Sequence, residues 1–171
     1  MRVERLGAHH RLEGFECGNK ELDGWLSAHA LENQNRDLSR TFVLVDDADA
    51  VIGFYSLTMG GVAARDLPSR LGRWLPRYEI GMVLLGRLAV ARTRQGEGLG
   101  RDLLVDAIAH AAAAGVHVAA RFIAVDPADD GARAFYRRFG FVDLEGDERR
   151  RMFLRLDHAV EALGRERGTS R

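Results

Sequence analysis

The feature that most constrains this chain is an almost unbroken apolar run, Met82–Val90 (MVLLGRLAV). It passes through Arg94-Gln95-Gly96-Glu97-Gly98-Leu99-Gly100 into a helical pattern that extends to about Ala114. An apolar run without alternation belongs to a strand covered on both faces, and Gly86 inside it predicts a bulge or a close backbone approach. The following helix should bury Leu99, Leu103, Leu104, Ala107, Ile108 and Ala111, which recur at helical spacing. Glycines let the backbone turn sharply and approach a ligand closely. The first-turn N–H groups of the helix have no intrahelical partners and sit at the positive end of its dipole. Strand, glycine loop and helix together favour a phosphate or pyrophosphate.

Three phosphate sites share that outline. A P-loop needs Lys-Ser/Thr after the glycines, and none is present. A dinucleotide site places the loop after the first strand of a βαβ unit, whereas several strands precede it here. The next strand also ends at Asp126-Pro127 without a ribose-binding acid. The third is a coenzyme A pyrophosphate site.

The rest of the chain reads as alternating elements. Val3–Leu6 is a short strand, and Asn19 caps a helix to about Asp37 with Leu22, Trp25, Leu26, His29 and Ala30 on one face. Thr41–Val45 and Val51–Met59 are strands joined at Asp46–Asp49. That acidic turn lacks the later Gly and terminal Glu of a calcium loop, so a hairpin is expected. Residues 60–80 read as irregular. Ala119–Val125 is a strand, and Ala128–Phe139 a helix stopped by Gly140. Phe141–Leu144 and Met152–Leu156 form a last hairpin, and Asp157–Leu163 a short closing helix. The expected order is β-α-β-β-loop-β-α-β-α-β-β, a mixed α/β sheet.

At 171 residues, with 46% hydrophobic and 29% charged residues, the chain matches one globular domain. No apolar run approaches the roughly 20 residues of a membrane span, and the charged N-terminal stretch is not a signal peptide. One cysteine, Cys17, rules out an intrachain disulfide and a cysteine-rich zinc site. A cytoplasmic location is expected. The six histidines show neither HxxxH nor HExxH spacing, so no metal site is expected.

Charge sums to zero, which argues against a generally basic nucleic-acid binder. Of the 25 cations, however, only Lys20 is lysine. Base composition accounts for such a bias, and so does a need for guanidinium forks toward phosphate or carboxylate; composition does not choose between them. Placement is uneven: residues 65–77 and 133–155 each carry a net of +3, and 98–132 a net of −3. A polarised surface can therefore exist under a neutral total.

About 35 residues after Gln95-Gly96-Glu97-Gly98-Leu99-Gly100 comes Ala134-Phe135-Tyr136-Arg137-Arg138-Phe139-Gly140-Phe141. These two motifs, with the element order, resemble the GNAT N-acetyltransferase family over about residues 40–156. The resemblance implies a GNAT fold: a mixed, mostly antiparallel sheet of six to seven strands with helices on both faces. A splayed central strand pair would hold acetyl-CoA, the co-substrate. A single acetyltransferase domain would then occupy residues 1–164, with 165–171 a frayed, charged tail. By resemblance, Leu88, Ala89 and Val90 offer backbone groups to the pantetheine arm. Arg94, Gln95, Gly96, Glu97, Gly98, Leu99, Gly100 and Arg101 hold the pyrophosphate. Phe135 joins the cofactor set, as does Asp129, which stands where the family often has Asn. Tyr136 matches the tyrosine that acts as general acid toward the leaving thiolate, a role that suits a phenol protonated at neutral pH.

A second resemblance extends the match to the N-terminus. Phe15-Glu16-Cys17-Gly18-Asn19-Lys20-Glu21-Leu22-Asp23, then Trp25-Leu26 and Ala30, look like the start of the acetyltransferase toxins of bacterial toxin–antitoxin pairs. Arg40-Thr41-Phe42-Val43, Leu85-Gly86-Arg87-Leu88-Ala89-Val90 and Val125-Asp126 add to it. It implies acetylation of the α-amine of aminoacyl-tRNA, a block on translation, and a small ribbon-helix-helix antitoxin as partner. Homodimers are common in the family.

An α-amine has a pKa of about 7.7–8.0 against about 10.4 for lysine, so much of it is neutral near neutral pH. An aminoacyl ester lowers it further, and a dedicated base matters less. Glu79 is the nearest candidate base, weighed against a solvated carboxylate at the start of the strand. Arg73, Arg77, Arg87, Arg92, Arg137 and Arg138 form a possible phosphate track for RNA, weighed against ordinary charged surface. Cys17 precedes a helix start, but without a basic neighbour it reads as structural. The Trp25 stripe reads first as core. The runner-up function is a housekeeping acetyltransferase acting on a protein N-terminus, a polyamine or a drug amine. A catalytically idle CoA-binding module is the reading from another class.

Overall fold

In the computed structural model, which describes residues 1–67, 69–72, 74–143 and 150–159, the acidic turn is built as a hairpin. The Asp46 carboxylate accepts the N–H groups of Ala48 (2.9 Å) and Ala50 (3.0 Å), and Asp49 takes a left-handed φ of 58°. The chain thus reverses between β2 (Arg40–Val45) and β3 (Val51–Ala63). An oxygen committed to two backbone donors is a turn former, as the sequence predicts.

Around this hairpin run β1 (Arg2–Arg5), α1 (Lys20–Ala28), α2 (Ala30–Asn35), α3 (Ser69–Gly72), β4 (Glu79–Val90), α4 (Leu99–Val118), β5 (Phe122–Val125), α5 (Asp130–Arg138), β6 (Val142–Asp143) and β7 (Met152–Arg155). The strands lie in the order β1-β2-β3-β4-β5-β7-β6. β4 and β5 pair in parallel, while β1–β2, β2–β3, β5–β7 and β6–β7 are antiparallel. This is the expected mixed, mostly antiparallel sheet.

The chain gathers into two compact units, one of Met1–Thr58 with Gly86–Ala107, the other of Met59–Leu85 with Ile108 onward. In the first, successive residues of β3 point to opposite faces. Phe54 lies among Phe15, Trp25, Leu26, Val43 and Val45. Its neighbour Gly53 faces α4, where an added Cβ would stand 2.9 Å from Leu103 Cδ1. Tyr55, on Gly53's side, donates its hydroxyl to Asp106 of α4 (2.6 Å). Helices therefore cover both faces here. In the second unit, Val62, Leu67, Ile80, Met82, Phe122, Ala124 and Phe153 form the core, with Leu71 and Leu75 against it. The predicted stripe of α4 is buried at all six positions, Leu103, Leu104, Ala107 and Ala111 completely.

Four expectations need correction. The helix after Asn19 is two helices, because His29 leaves helical geometry (φ −127°, ψ −23°). The bend turns Gln34 inward, where its amide donates to Leu6 O (2.6 Å) and accepts the Thr41 N–H (3.2 Å). Residues 60–80 are not all irregular: β3 continues to Ala63, a 3-10 turn follows at Ala64–Asp66, then α3, and β4 begins at Glu79. Leu67, Leu71 and Leu75 supply the buried periodicity that the prolines mask in the sequence. α4 outlasts Ala114 and ends at Val118, since Ala119 makes the left-handed stop (φ 55°) that a glycine normally signals; β5 starts correspondingly late. At Gly86 an added Cβ would meet Ser56 Oγ at an ordinary 3.6 Å, so no close approach explains that glycine. Residues 156–159 are helical. The rest of the expected closing helix, Leu144 of the last hairpin, Arg73 and the tail 165–171 lie outside the described residues.

Candidate active site

Gln95 organises the glycine loop. Its side-chain amide donates to the carbonyl of Val90 at the end of β4 (3.0 Å) and to that of Cys17 (2.8 Å). The Arg92 N–H adds a bond to Glu16 O (2.7 Å). Segment 16–17 is fixed in turn by Asp23, whose carboxylate accepts the Cys17 N–H (2.9 Å), and by Asn19, which caps α1 through the Glu21 and Leu22 N–H groups. Arg94 forks Glu97 with three contacts of 2.8–2.9 Å, which fixes the loop's shape and neutralises that guanidinium. Gly96 and Gly98 adopt φ of 86° and 84°, which only glycine reaches without strain. A Cβ at either would meet nothing within 4 Å, so the loop's outer side is open. Leu99 is buried, so only its backbone can serve an anion, and Arg101 is exposed.

The end of β4 has a free edge. Ala91 donates its N–H to Ile52 O of β3 (2.8 Å), and Ala89 O lies 3.2 Å from where a Gly53 Cβ would be. Strand alternation then turns the backbone groups of Leu88 and Val90 away from β3, and those of Ala89 toward it. The parallel pairing of β4 with β5 covers Met82–Leu85 and stops there; β5 itself ends at Val125, before Asp126-Pro127. The geometry of loop and edge suits a thioester carrier with amide groups on its arm and a pyrophosphate behind them.

Removing the Gln95 amide (Gln95→Ala) strands two carbonyls and loosens the loop. Each lost bond is worth about 0.5–1.5 kcal/mol. The expected result is a KM for acetyl-CoA raised several-fold with little change in kcat, measured by steady-state kinetics.

Tyr136 lies on α5, which Asp129 caps by accepting the Ala132 N–H (2.7 Å) and Gly140 ends at φ 86°. Asp129 is therefore already engaged at the position where the resemblance implies a cofactor contact. The Tyr136 ring is buried, 5.2 Å from the Phe135 ring and 5.4 Å from that of Phe141. Burial alone pushes the phenol well above its ordinary range, so it stays protonated at any physiological pH. Phe135 also packs on Phe139, one turn further along at the end of the same helix (5.0 Å).

The arginines sort into two groups. In the 133–155 stretch, Arg133 and Arg137 both bind Asp143 (2.6 Å each), Arg151 forks Asp126 (2.7 Å), Arg150 pairs with Asp130 and Arg155 with Asp157. That basic stretch is largely balanced by the acidic residues it touches, and Arg137 is not an unengaged RNA contact. Arg87 stands with its guanidinium 4.0 Å over the Trp25 ring, and burial lowers its pKa. Nothing in the sequence signals this cation–π pair, since the two residues lie on separate elements. Arg77, Arg92 and Arg138 are exposed, as a phosphate track requires. Glu79 is the exposed first residue of β4.

Burial, with Asp23 adding to it, pushes the Cys17 thiol up to about 11. At pH 8 the thiolate fraction then falls about two orders of magnitude below that of a free cysteine. Iodoacetamide should label the folded protein far more slowly than the urea-unfolded chain, read as one mass increment. Glu4, His9 and His10 lie close enough to share a cation, a grouping hidden by their sequence spacing. Yet His10 Nδ1 accepts the Gly7 N–H (2.9 Å), so its proton sits on Nε2, directed at Glu4 (2.7 Å). Neither ring nitrogen keeps a lone pair for a metal.

Comparison with known proteins agrees with this geometry. The acetyltransferase (GNAT) family model matches residues 9–141. The chain is 41% identical over 137 residues to the tRNA-acetylating toxin of Mycobacterium tuberculosis (strain ATCC 25618 / H37Rv), covering 80% of this chain and 81% of that one. AtaT complexed with acetyl-methionyl-tRNAfMet superposes with a TM-score of 0.87 at 27% identity, over 95% of this chain and 98% of that one. A tyrosine-to-phenylalanine mutant of KacT gives 0.88 at 25%, over 94% and 98%, and AtaTR bound with AcCoA gives 0.83 at 27%, over 95% and 97%. The chain belongs to the GNAT acetyltransferase family. It is an N-acetyltransferase whose acetyl donor is acetyl-CoA.

Proposed function

We propose that this chain is a toxin that acetylates the α-amine of aminoacyl-tRNA and so blocks translation. The observation that carries the reading is the likeness to a tRNA-acetylating toxin over four-fifths of the chain, with AtaT resembling it over nearly its whole length. In this reading Leu88 and Val90 bind the pantetheine amides, and the backbone of 95–101 binds the pyrophosphate. The neutral amine attacks the thioester carbonyl carbon; a C–N bond forms, the C–S bond breaks, and the nitrogen releases its proton to water. The Tyr136 phenol gives its proton to the departing sulfur and regains one from water, so the amine's loss and the thiol's gain balance over the cycle. A thiolate forming in dry surroundings is a stronger base for the same reason that the phenol is a weaker acid, so the transfer stays matched. A small ribbon-helix-helix antitoxin, homodimerisation, a single domain over residues 1–164 and a cytoplasmic location complete the proposal. Among the described residues no helix is long and apolar enough to cross a membrane.

The test is to mix the protein and labelled acetyl-CoA with charged tRNA, deacylated tRNA, peptides and small amines. Label that moves to charged tRNA and leaves with the amino acid on mild base hydrolysis supports the reading. Label on peptides or amines alone sinks it.

A further inference from the structure

The central strand β4 changes step at Gly86. Phe54 and Ser56, two residues apart, share one face of β3. A Cβ added to Gly86 would stand 3.6 Å from Ser56 Oγ, on that same face. The next residue also turns there: the Arg87 guanidinium lies 4.0 Å over the ring of Trp25, which itself stacks on Phe54 (6.1 Å). Two successive residues on one face mark a β-bulge, and a glycine in the first place leaves room for the side chain of the second. Beyond the bulge Ala89 and Ala91 resume the alternation, packed in the cluster of Trp25 and Phe54.

The bulge delivers a cation whose donors are unused. Arg87 is half-buried, and that burial lowers its pKa. Among the described residues it makes no hydrogen bond and no ion pair, and Glu21 acts on it only from longer range. Stacking on Trp25 engages a flat side of the guanidinium and leaves the N–H donors, which lie in its plane, for another partner. A cation drawn out of water without an acceptor is costly, and the acceptor that matches a guanidinium fork is an oxyanion. Position indicates which one. With its pyrophosphate on the backbone of 95–101, the acetyl-CoA arm runs back past Val90 to Leu88. Arg87 stands one residue further, about 3.8 Å on between Cα atoms. That is the thioester end, where the acceptor is still to be placed. The anion that an aminoacyl-tRNA brings there is the phosphate of its terminal nucleotide.

We propose that Arg87, braced on Trp25, is a specificity-determining residue that forks the phosphate of the acceptor's terminal nucleotide and so sets the α-amine against the thioester. The proposal deepens the aminoacyl-tRNA reading and rests on it.

Two acceptors cut from one pool of charged tRNA differ by that single group. Ribonuclease A, which cuts after the cytidine preceding the terminal adenosine, releases aminoacyl-adenosine without phosphate. Nuclease P1 releases aminoacyl-adenosine 5′-phosphate. The full-length parent should use the second with a KM lower by about tenfold or more, as a charge-assisted bond implies. Arg87→Gln should bring the two KM values within about twofold of each other. Arg87→Lys, which keeps the charge without the fork, should retain part of the preference. On whole charged tRNA, Arg87→Gln should also flatten the slope of log affinity against log salt by about 0.7, one single-strand phosphate contact. Circular dichroism checks that the variants fold, and the parent's preference is a test that needs neither. Equal use of both acceptors by the parent overturns the proposal. So does a preference that survives in Arg87→Gln while both KM values rise together, the pattern of a merely structural role. A rise confined to the KM for acetyl-CoA would give the guanidinium to the donor's phosphates and overturn it as well. In each of these cases transfer to charged tRNA persists, and the aminoacyl-tRNA reading stands. A parent that acetylates neither fragment nor charged tRNA overturns that reading, and the Arg87 assignment with it.

Discussion

Tyr136→Phe is expected to leave acetyl-CoA binding intact while kcat falls by about 10²-fold or more. The substitution is unusually clean. The ring keeps its place between Phe135 and Phe141, and among the described residues the hydroxyl makes no hydrogen bond that the change would break. Thermal stability should therefore hold, and any loss of rate belongs to proton delivery. Equilibrium dialysis with acetyl-CoA and single-turnover transfer separate the two. The pH profile gives a second check. Because burial raises the phenol above its ordinary value, no falling limb from its ionisation should appear by pH 10. The rate should climb through about pH 8 as the amine loses its proton, then level off. Unchanged turnover in the variant would end the general-acid assignment.

Phe54→Ala should destabilise the protein by about 3–5 kcal/mol, the range for removing a fully buried aromatic. Phe54 has no exposure, meets Phe15 edge-on (ring centroids 5.6 Å) and lies nearly parallel to Trp25 (6.1 Å). Trp25 carries Arg87 on its ring, so the cavity would loosen that pair as well. Phe15 leads directly into the 16–17 segment that holds Gln95 and Arg92, so the variant should also lose acetyl-CoA affinity below its melting point. Urea denaturation gives the first effect, and titration of the folded variant the second. Phe54→Leu should recover most of both.

The site was most legible where local chemistry is strict. Gly96 and Gly98 sit at positive φ, as a tight turn into a helix demands, and the α4 stripe is buried at every expected position. Asn19, Gly140 and the Asp46 turn carry out their local roles as read. Contacts remote in sequence were not legible. Gln95 matched a motif for binding pyrophosphate, but its side chain is directed at two carbonyls. The net charges of 98–132 and 133–155 were visible; that Asp126 and Asp130 take Arg151 and Arg150 was not. Only the fold could separate the arginines that carboxylates neutralise, Arg133, Arg137 and Arg151, from the exposed Arg77 and Arg138. His29 misled for a related reason: its helical spacing was genuine on both sides, and the bend answers to Gln34's distant partners.

The Gln95 bridge also bears on the order in which the molecule is made. Its Cys17 contact joins residues 78 positions apart, whereas its Val90 contact is local. Strand, loop and helix can form early from nearby sequence, but closing the long link carries the larger entropic cost and comes later. Segment 16–17 leaves the ribosome ahead of Gln95 and must wait for the 78 positions between them before it meets its partner. Competence to hold the acetyl donor thus arrives with docking of the earlier-made segment 16–17 onto the later-made glycine loop.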